Sequence, residues 1–87
     1  LTLWVSNMLL RRFSCETIQK DLAEVLRLLK KGKAASVVVA NEVGLGIVPA
    51  NKLARNFRDV AGRVNQQVAE KADRVIFMVS GIPWRIK

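Results

Sequence analysis

Three consecutive valines, Val37, Val38 and Val39, constrain this chain more than any other feature. They lie in an uncharged run, Ser36–Ala40, followed directly by a loop, Asn41–Pro49, that carries Gly44 and Gly46. A strand with apolar side chains on both faces has no side to give to water. Its place is inside a parallel sheet covered on both faces by helices. Arg74–Val79 is a second apolar strand of this kind, and Ser80-Gly81-Ile82-Pro83 then turns the chain. Trp84–Lys87 can return as a short edge strand, which suits Pro83 and the terminal charges.

Two helical stretches separate these runs. In Ser14–Lys31, Ile18, Leu22, Val25, Leu26 and Leu29 recur at helical spacing. Ser14 is suited to cap the first turn, Glu16 to its positive end, and Lys30 and Lys31 to its negative end. Gly32 is expected to stop it in the left-handed conformation. In Ala50–Ala72, Leu53, Phe57, Val60, Ala61, Val64 and Val68 form one stripe. Pro49 is expected in its first turn, and Gly62 to mark close packing. Leu1–Arg12 has an ambiguous register and reads as a strand end continuing into a helix. The order helix, strand, helix, strand fits right-handed crossovers. The expected fold class is therefore α/β: a mainly parallel sheet flanked by helices, with further strands upstream.

Length and composition bound the rest. A chain of 87 residues makes one small domain with a modest core, yet 51% of its residues are apolar and its mean hydropathy is +0.17. Together with a start at Leu1, this leads us to expect residues 1–87 to be one piece of a larger domain. The single cysteine, Cys15, allows no internal disulfide, which fits a reducing, cytoplasmic compartment. With no histidine, neither a Cys–His catalytic pair nor a Cys/His metal site can be built, and no metal site is expected. No signal-peptide pattern or membrane span is expected.

The net charge of +8 favours anionic partners. The charges are spread out, however, and the one tight cluster, Lys30, Lys31 and Lys33, lacks interleaved aromatics for stacking. An acidic segment elsewhere could rebalance the whole. Direct nucleic-acid binding is thus a secondary reading.

Ligands of open α/β sheets bind beyond the carboxyl ends of strands. Asn41-Glu42-Val43-Gly44-Leu45-Gly46 sits at such an end, where Asn41 can donate and accept and Glu42 can act as a base or hold a metal-bound water. Spacing leaves a second reading open, a connecting loop with a solvated Glu42. Arg55, Asp59 and Arg63 share one helix face, with Arg58 beside them and Asn65 and Gln66 extending it. The plain reading is an ion-pair ladder worth about 0.3–0.5 kcal/mol per pair. The functional one is a guanidinium set directed at phosphates. Trp4 and Trp84 read as core or interface residues. The Gly-x-x-x-x-Gly-Lys-Ser/Thr phosphate-binding loop is absent.

Several strings together resemble one family. They are Asn41-Glu42-Val43-Gly44-Leu45-Gly46-Ile47-Val48-Pro49, Leu53-Ala54-Arg55, Phe57-Arg58-Asp59, Gly62-Arg63-Val64-Asn65-Gln66, Ala72-Asp73 and Val79-Ser80-Gly81-Ile82-Pro83. The family is the bifunctional adenosylcobinamide kinase / adenosylcobinamide-phosphate guanylyltransferase of cobalamin biosynthesis. Leu1-Thr2-Leu3-Trp4 with Asn7 resembles the segment just after that family's acidic metal-binding strand.

The resemblance implies the C-terminal part of a P-loop NTPase-like domain. It implies an enzyme that phosphorylates adenosylcobinamide with ATP or GTP and magnesium, then transfers GMP from GTP to that phosphate through a guanylylated histidine. A homotrimer is implied as well. The phosphate-binding loop, that histidine and the metal-binding acid fall upstream, so residues 1–87 alone are expected to bind no cofactor and to be inactive. By the resemblance, Asn41 and Glu42 are the active-centre candidates. Thr2, Arg55, Arg58 and Arg63 are candidates for nucleotide or phosphate contact. Gly44, Gly46, Asp59 and Asn65 are candidates for structural support. The alternatives are a small basic nucleic-acid-binding remnant, and a chain that docks on a separately encoded partner through an exposed sheet edge.

Overall fold

Three helices and a hairpin follow one another along residues 1–87, all of which are described by a computed structural model. They are α1 (Thr2–Leu10), α2 (Cys15–Lys31), α3 (Lys52–Lys71), β1 (Ile76–Val79) and β2 (Ile82–Arg85). The first segment is thus helical from its second residue, with no strand end. Apolar residues all round it give no period to read, so its direction is set by packing, which buries Val5.

Helix α1 ends in a Schellman motif. Arg12 N–H donates to Leu9 O at 2.9 Å and Phe13 N–H to Met8 O at 3.1 Å. The motif needs a left-handed residue, and here it is Arg12, at φ 64°. Glycine adopts that conformation without steric cost. Arg12→Gly is therefore expected to stabilise the chain by about 0.5–1 kcal/mol, read as a rise in the thermal midpoint of the helical circular dichroism signal. An unchanged or lower midpoint would contradict this geometry.

Helix α2 starts as its sequence predicts. Ser14 Oγ accepts from Thr17 N–H at 3.2 Å, with Glu16 in the first turn and Lys30 and Lys31 in the last. Its end differs from expectation: Gly32 is not left-handed but extended, at φ −68° and ψ 153°, and its N–H closes the last turn on Leu28 O. Helix α3 starts later than Pro49 suggests. Asn51 is the cap, its Oδ1 accepting from Leu53 N–H at 2.8 Å and Ala54 N–H at 3.3 Å. An amide oxygen that satisfies two free N–H groups fixes a helix start more firmly than a proline two residues earlier.

The core is small. Val5, Ile18, Leu22, Leu26, Val60, Ala61 and Val64 are its buried members. They join α2 to α3 and α1 to α3, while Trp4, Phe57 and Val68 pack half-buried around them. Gln67 Nε2 adds a polar tie, donating to Gln19 O at 2.9 Å, and leaves its own Oε1 buried without a partner. Val25, Leu29 and Leu53 belong to the expected stripes but stay exposed, as their helices meet only along part of those stripes. Gly62 faces open space: a Cβ there would meet nothing within 4 Å, so it marks no close approach within this chain. Cys15 is a half-buried free thiol at the start of α2.

Helices and a small sheet do occur together, but the expected parallel ladder does not form. Strand β1 pairs only with β2, antiparallel, with Phe77 opposite Trp84 and Met78 opposite Pro83. Ser36–Ala40 is neither helix nor strand and forms no ladder. A ladder needs a neighbour about 4.8 Å away, and residues 36–40 are paired with no strand, so β1 is left with one edge paired to β2 and one edge open. The turn is tighter than predicted, confined to Ser80 and Gly81, whose φ values of 52° and 75° are those of a two-residue I′ loop. Ile86 N–H donates to Val75 O at 2.9 Å. Counting back along the alternating ladder puts Pro83 at a non-hydrogen-bonded pair, where its missing N–H costs nothing.

The hairpin stands beyond the helices rather than on them, and Ile76, Met78, Ile82 and Trp84 are exposed. It is held by Lys87 Nζ, which donates to Ala69 O at 2.8 Å and Glu70 O at 3.0 Å at the carbonyl end of α3. It is also held by Lys30, 3.0 Å from Asp73. The result is a plate of 41 × 32 × 17 Å, little more than one helix thick.

That Lys30 ammonium holds the Asp73 carboxyl below its usual range, aided by Lys87 and Arg74. A depressed folded-state value means that the contribution is present above the unfolded value and is lost as pH falls through the folded one. Acidification below the ordinary carboxylate range is thus expected to loosen the hairpin from α2. In an NMR titration the Asp73 midpoint should move back up in Lys30→Ala. An unmoved midpoint would show that the pair does not form.

Candidate functional site

The Asn41–Pro49 loop is laid along one face of α3 and tied there by side chains. Arg58 Nη2 donates to Gly44 O at 2.6 Å. Arg55 Nη1 donates to Pro49 O at 3.0 Å and Ala50 O at 2.5 Å. Asn65 Nδ2 donates to Asn41 O at 3.1 Å. With the Asn51 cap, residues 51, 55, 58 and 65 follow the i, i+4, i+7, i+14 spacing of a single helix face. A loop of about ten residues cannot satisfy its own carbonyls, and these donors do it.

The start of the loop is held from two sides. Thr2 Oγ1, in the first turn of α1, accepts from Asn41 N–H at 2.8 Å, opposite the Asn65 bond to Asn41 O. Asn41 is therefore gripped through its backbone, and its side chain is exposed. Glu42 bends back on the loop: its Oε1 accepts from Gly44 N–H at 2.7 Å. A Cβ on Gly44 would lie 2.8 Å from that oxygen, so glycine here makes room for a carboxylate. Gly46 has open space around it, and neither loop glycine takes a positive φ.

The structure thus brings together Thr2, Asn41, Glu42, Gly44, Arg55, Arg58 and Asn65. It leaves Asp59 and Arg63 exposed and without an ion pair. The expected arginine–aspartate ladder is not formed, because the Arg55 guanidinium turns to the carbonyls before the helix. Arg58 is half-buried under the loop. Arg63 is the one guanidinium of the three left free of any hydrogen bond. Asn51 is the residue that sequence reasoning missed; an Asn directly before the periodic stripe is a cap signal that Pro49 obscured.

The donor set does not fit a metal by itself. No group of three His, Cys, Asp or Glu side chains lies together, and Glu42 is the one acid in the loop, one of its oxygens accepting from Gly44 N–H. No helix is long and apolar enough to cross a membrane.

A loop held in this way is a scaffold part, and comparison with known proteins says of which scaffold. Residues 1–86 match the CobU family, described as cobinamide kinase / cobinamide phosphate guanyltransferase. The chain belongs to this family. It is 50% identical over 70 residues to the bifunctional adenosylcobalamin biosynthesis protein CobU of Salmonella typhimurium, covering 80% of this chain and 39% of that protein. It is 47% identical over 72 residues to the protein of the same name from Escherichia coli, covering 83% and 40%. The corresponding CobP of Pseudomonas aeruginosa is 38% identical over 90 residues, covering all of this chain and 50% of that protein. The chain spans half the length, or less, of the curated relatives it matches.

Proposed function

We propose that this chain is the C-terminal portion of a cytoplasmic cobinamide kinase and cobinamide phosphate guanylyltransferase with a P-loop NTPase-like fold. The family match over residues 1–86 carries the reading. The complete enzyme phosphorylates adenosylcobinamide with ATP or GTP, then transfers GMP from GTP to the phosphate, and assembles as a homotrimer. Magnesium takes its ligands from other segments, and no step through it is assigned to these residues.

In this reading the tied loop presents Asn41 and Glu42 to the active centre. Thr2, Asn65, Arg55 and Arg58 hold that loop, and Gly44 leaves room for the Glu42 carboxylate. Arg63, free of protein partners, contacts nucleotide phosphate. The tie geometry supports these positioning roles, since each bond reaches the loop from a separate point on α1 or α3. The basic-remnant alternative has less behind it, since Lys30 of its cluster is already paired with Asp73.

The test is guanylylation with labelled GTP and magnesium. The chain alone is expected to take no label, having no histidine to carry it. Co-expressed with the remaining half of the Escherichia coli relative, it should restore labelling on that half. Label on this chain by itself would overturn the reading.

A further inference from the structure

The first turn of α3 has little besides Asn51 to hold it. Lys52, Leu53 and Arg55 are exposed, Leu53 by 58% of its surface, and the packed stripe begins only with half-buried Phe57 and buried Val60. The turn carries no acid, while Lys52 and Arg55 put two positive charges at the positive end of the helix. Neither packing nor charge favours a helix start here. The Asn51 side chain does, because its Oδ1 accepts from both Leu53 N–H and Ala54 N–H. The Asn51 carbonyl then takes Arg55 N–H at 3.0 Å.

Arg55 belongs to that unsupported turn, and it is the tie on the far end of the loop, through Pro49 O and Ala50 O. The ties from Thr2, Arg58 and Asn65 reach only residues 41 and 44. No Ser, Thr, Asp or Asn lies between Asn41 and Asn51, and the next one downstream is Asn56. A helix that lost its cap and restarted after Asn56 would leave Arg55 outside it and keep Arg58 inside.

We propose that Asn51 is a positioning residue for the Asn41–Pro49 loop. By fixing the first turn of α3 it aims Arg55 at Pro49 O and Ala50 O, and so sets the far end of the loop that carries Asn41 and Glu42. The consequence for guanylyl transfer rests on the functional reading above; the mechanical role does not.

The mechanical role is read by NMR on the chain itself. In Asn51→Ala the Cα shifts of residues 52–55 should lose their helical displacement, while those of residues 58–71 keep theirs. Asn51→Asp and Asn51→Ser retain an acceptor at the cap and should restore the displacement. The rate is then read in the enzyme completed by the remaining half of the Escherichia coli relative. There Asn51→Ala should lower kcat for guanylyl transfer about 3- to 10-fold with KM little changed. Combined with Arg55→Ala it should add nothing to that change, since Asn51 acts through Arg55. The proposal fails if residues 52–55 stay helical in Asn51→Ala, or if Asp and Ser do not restore them. It fails too if the turn unwinds with transfer at the parental rate, or if the losses of Asn51→Ala and Arg55→Ala simply add. The functional reading fails separately: a completed parent enzyme that takes no label from GTP sinks the activity, and the shifts of residues 52–55 still decide the role of Asn51.

Discussion

Ile18→Ala is expected to unfold this chain at room temperature or to lower its thermal midpoint by about 10 °C or more. Ile18 is fully buried, one of only seven buried side chains that hold three helices together. Truncating a buried isoleucine costs about 2–5 kcal/mol, partly in lost transfer and partly in the cavity left behind. A chain of this length has about 4–13 kcal/mol in total, and so small a core places it near the lower end. The control is Val25→Ala on the same helix, where the side chain is about half exposed and the change should stay within about 0.5 kcal/mol. Circular dichroism melts of the two variants decide it. If both melt like the parent, α2 does not pack as described.

Arg58→Ala, in the enzyme completed by its missing half, is expected to slow guanylyl transfer about 10- to 100-fold. The lost bond joins a charged donor to Gly44 O, a class worth about 1.5–3 kcal/mol, and 1.4 kcal/mol corresponds to a factor of about ten. The loss should fall on kcat more than on KM, since Arg58 positions the loop and its donor is spent on protein. Gly44 N–H should exchange faster in the variant, a readout that simple loss of overall stability would not confine to the loop. Transfer at the parental rate with a loosened loop would mean that the loop does not serve the reaction.

Helices α2 and α3 were legible because their signals are local. Ser14, Glu16 and the spacing from Ile18 to Leu26 act within a turn or two. The valines of 37–39 read as strand material, but the structure has no strand there: no local signal says whether such a run finds a neighbour, and here the chain supplies none. The turn at Ser80-Gly81 could be located but not sized, because Pro83 looked like a turn residue when it sits harmlessly in β2. At the site, helical spacing puts Arg55, Asp59 and Arg63 along α3 at intervals of four, yet no ion pair joins them. It could not show that a loop folds back on α3 and draws the Arg55 and Arg58 guanidinium groups to carbonyls up to fourteen residues away. A helical wheel gives the direction of a side chain, not what arrives in front of it.

The flatness of the molecule, 17 Å through its thinnest dimension, also governs how its stability will look in a denaturation experiment. A fully extended chain of this mass exposes about 14,000 Å², so unfolding uncovers only about four-fifths of the area that a compact chain would uncover. The slope of free energy against urea scales with that area, as does the heat capacity of unfolding. Both should therefore be about four-fifths of the values usual for the length. Since the urea midpoint is stability divided by slope, the transition will be broad and its midpoint displaced upward. A fold held by seven side chains will then seem sturdier by midpoint than it is by free energy.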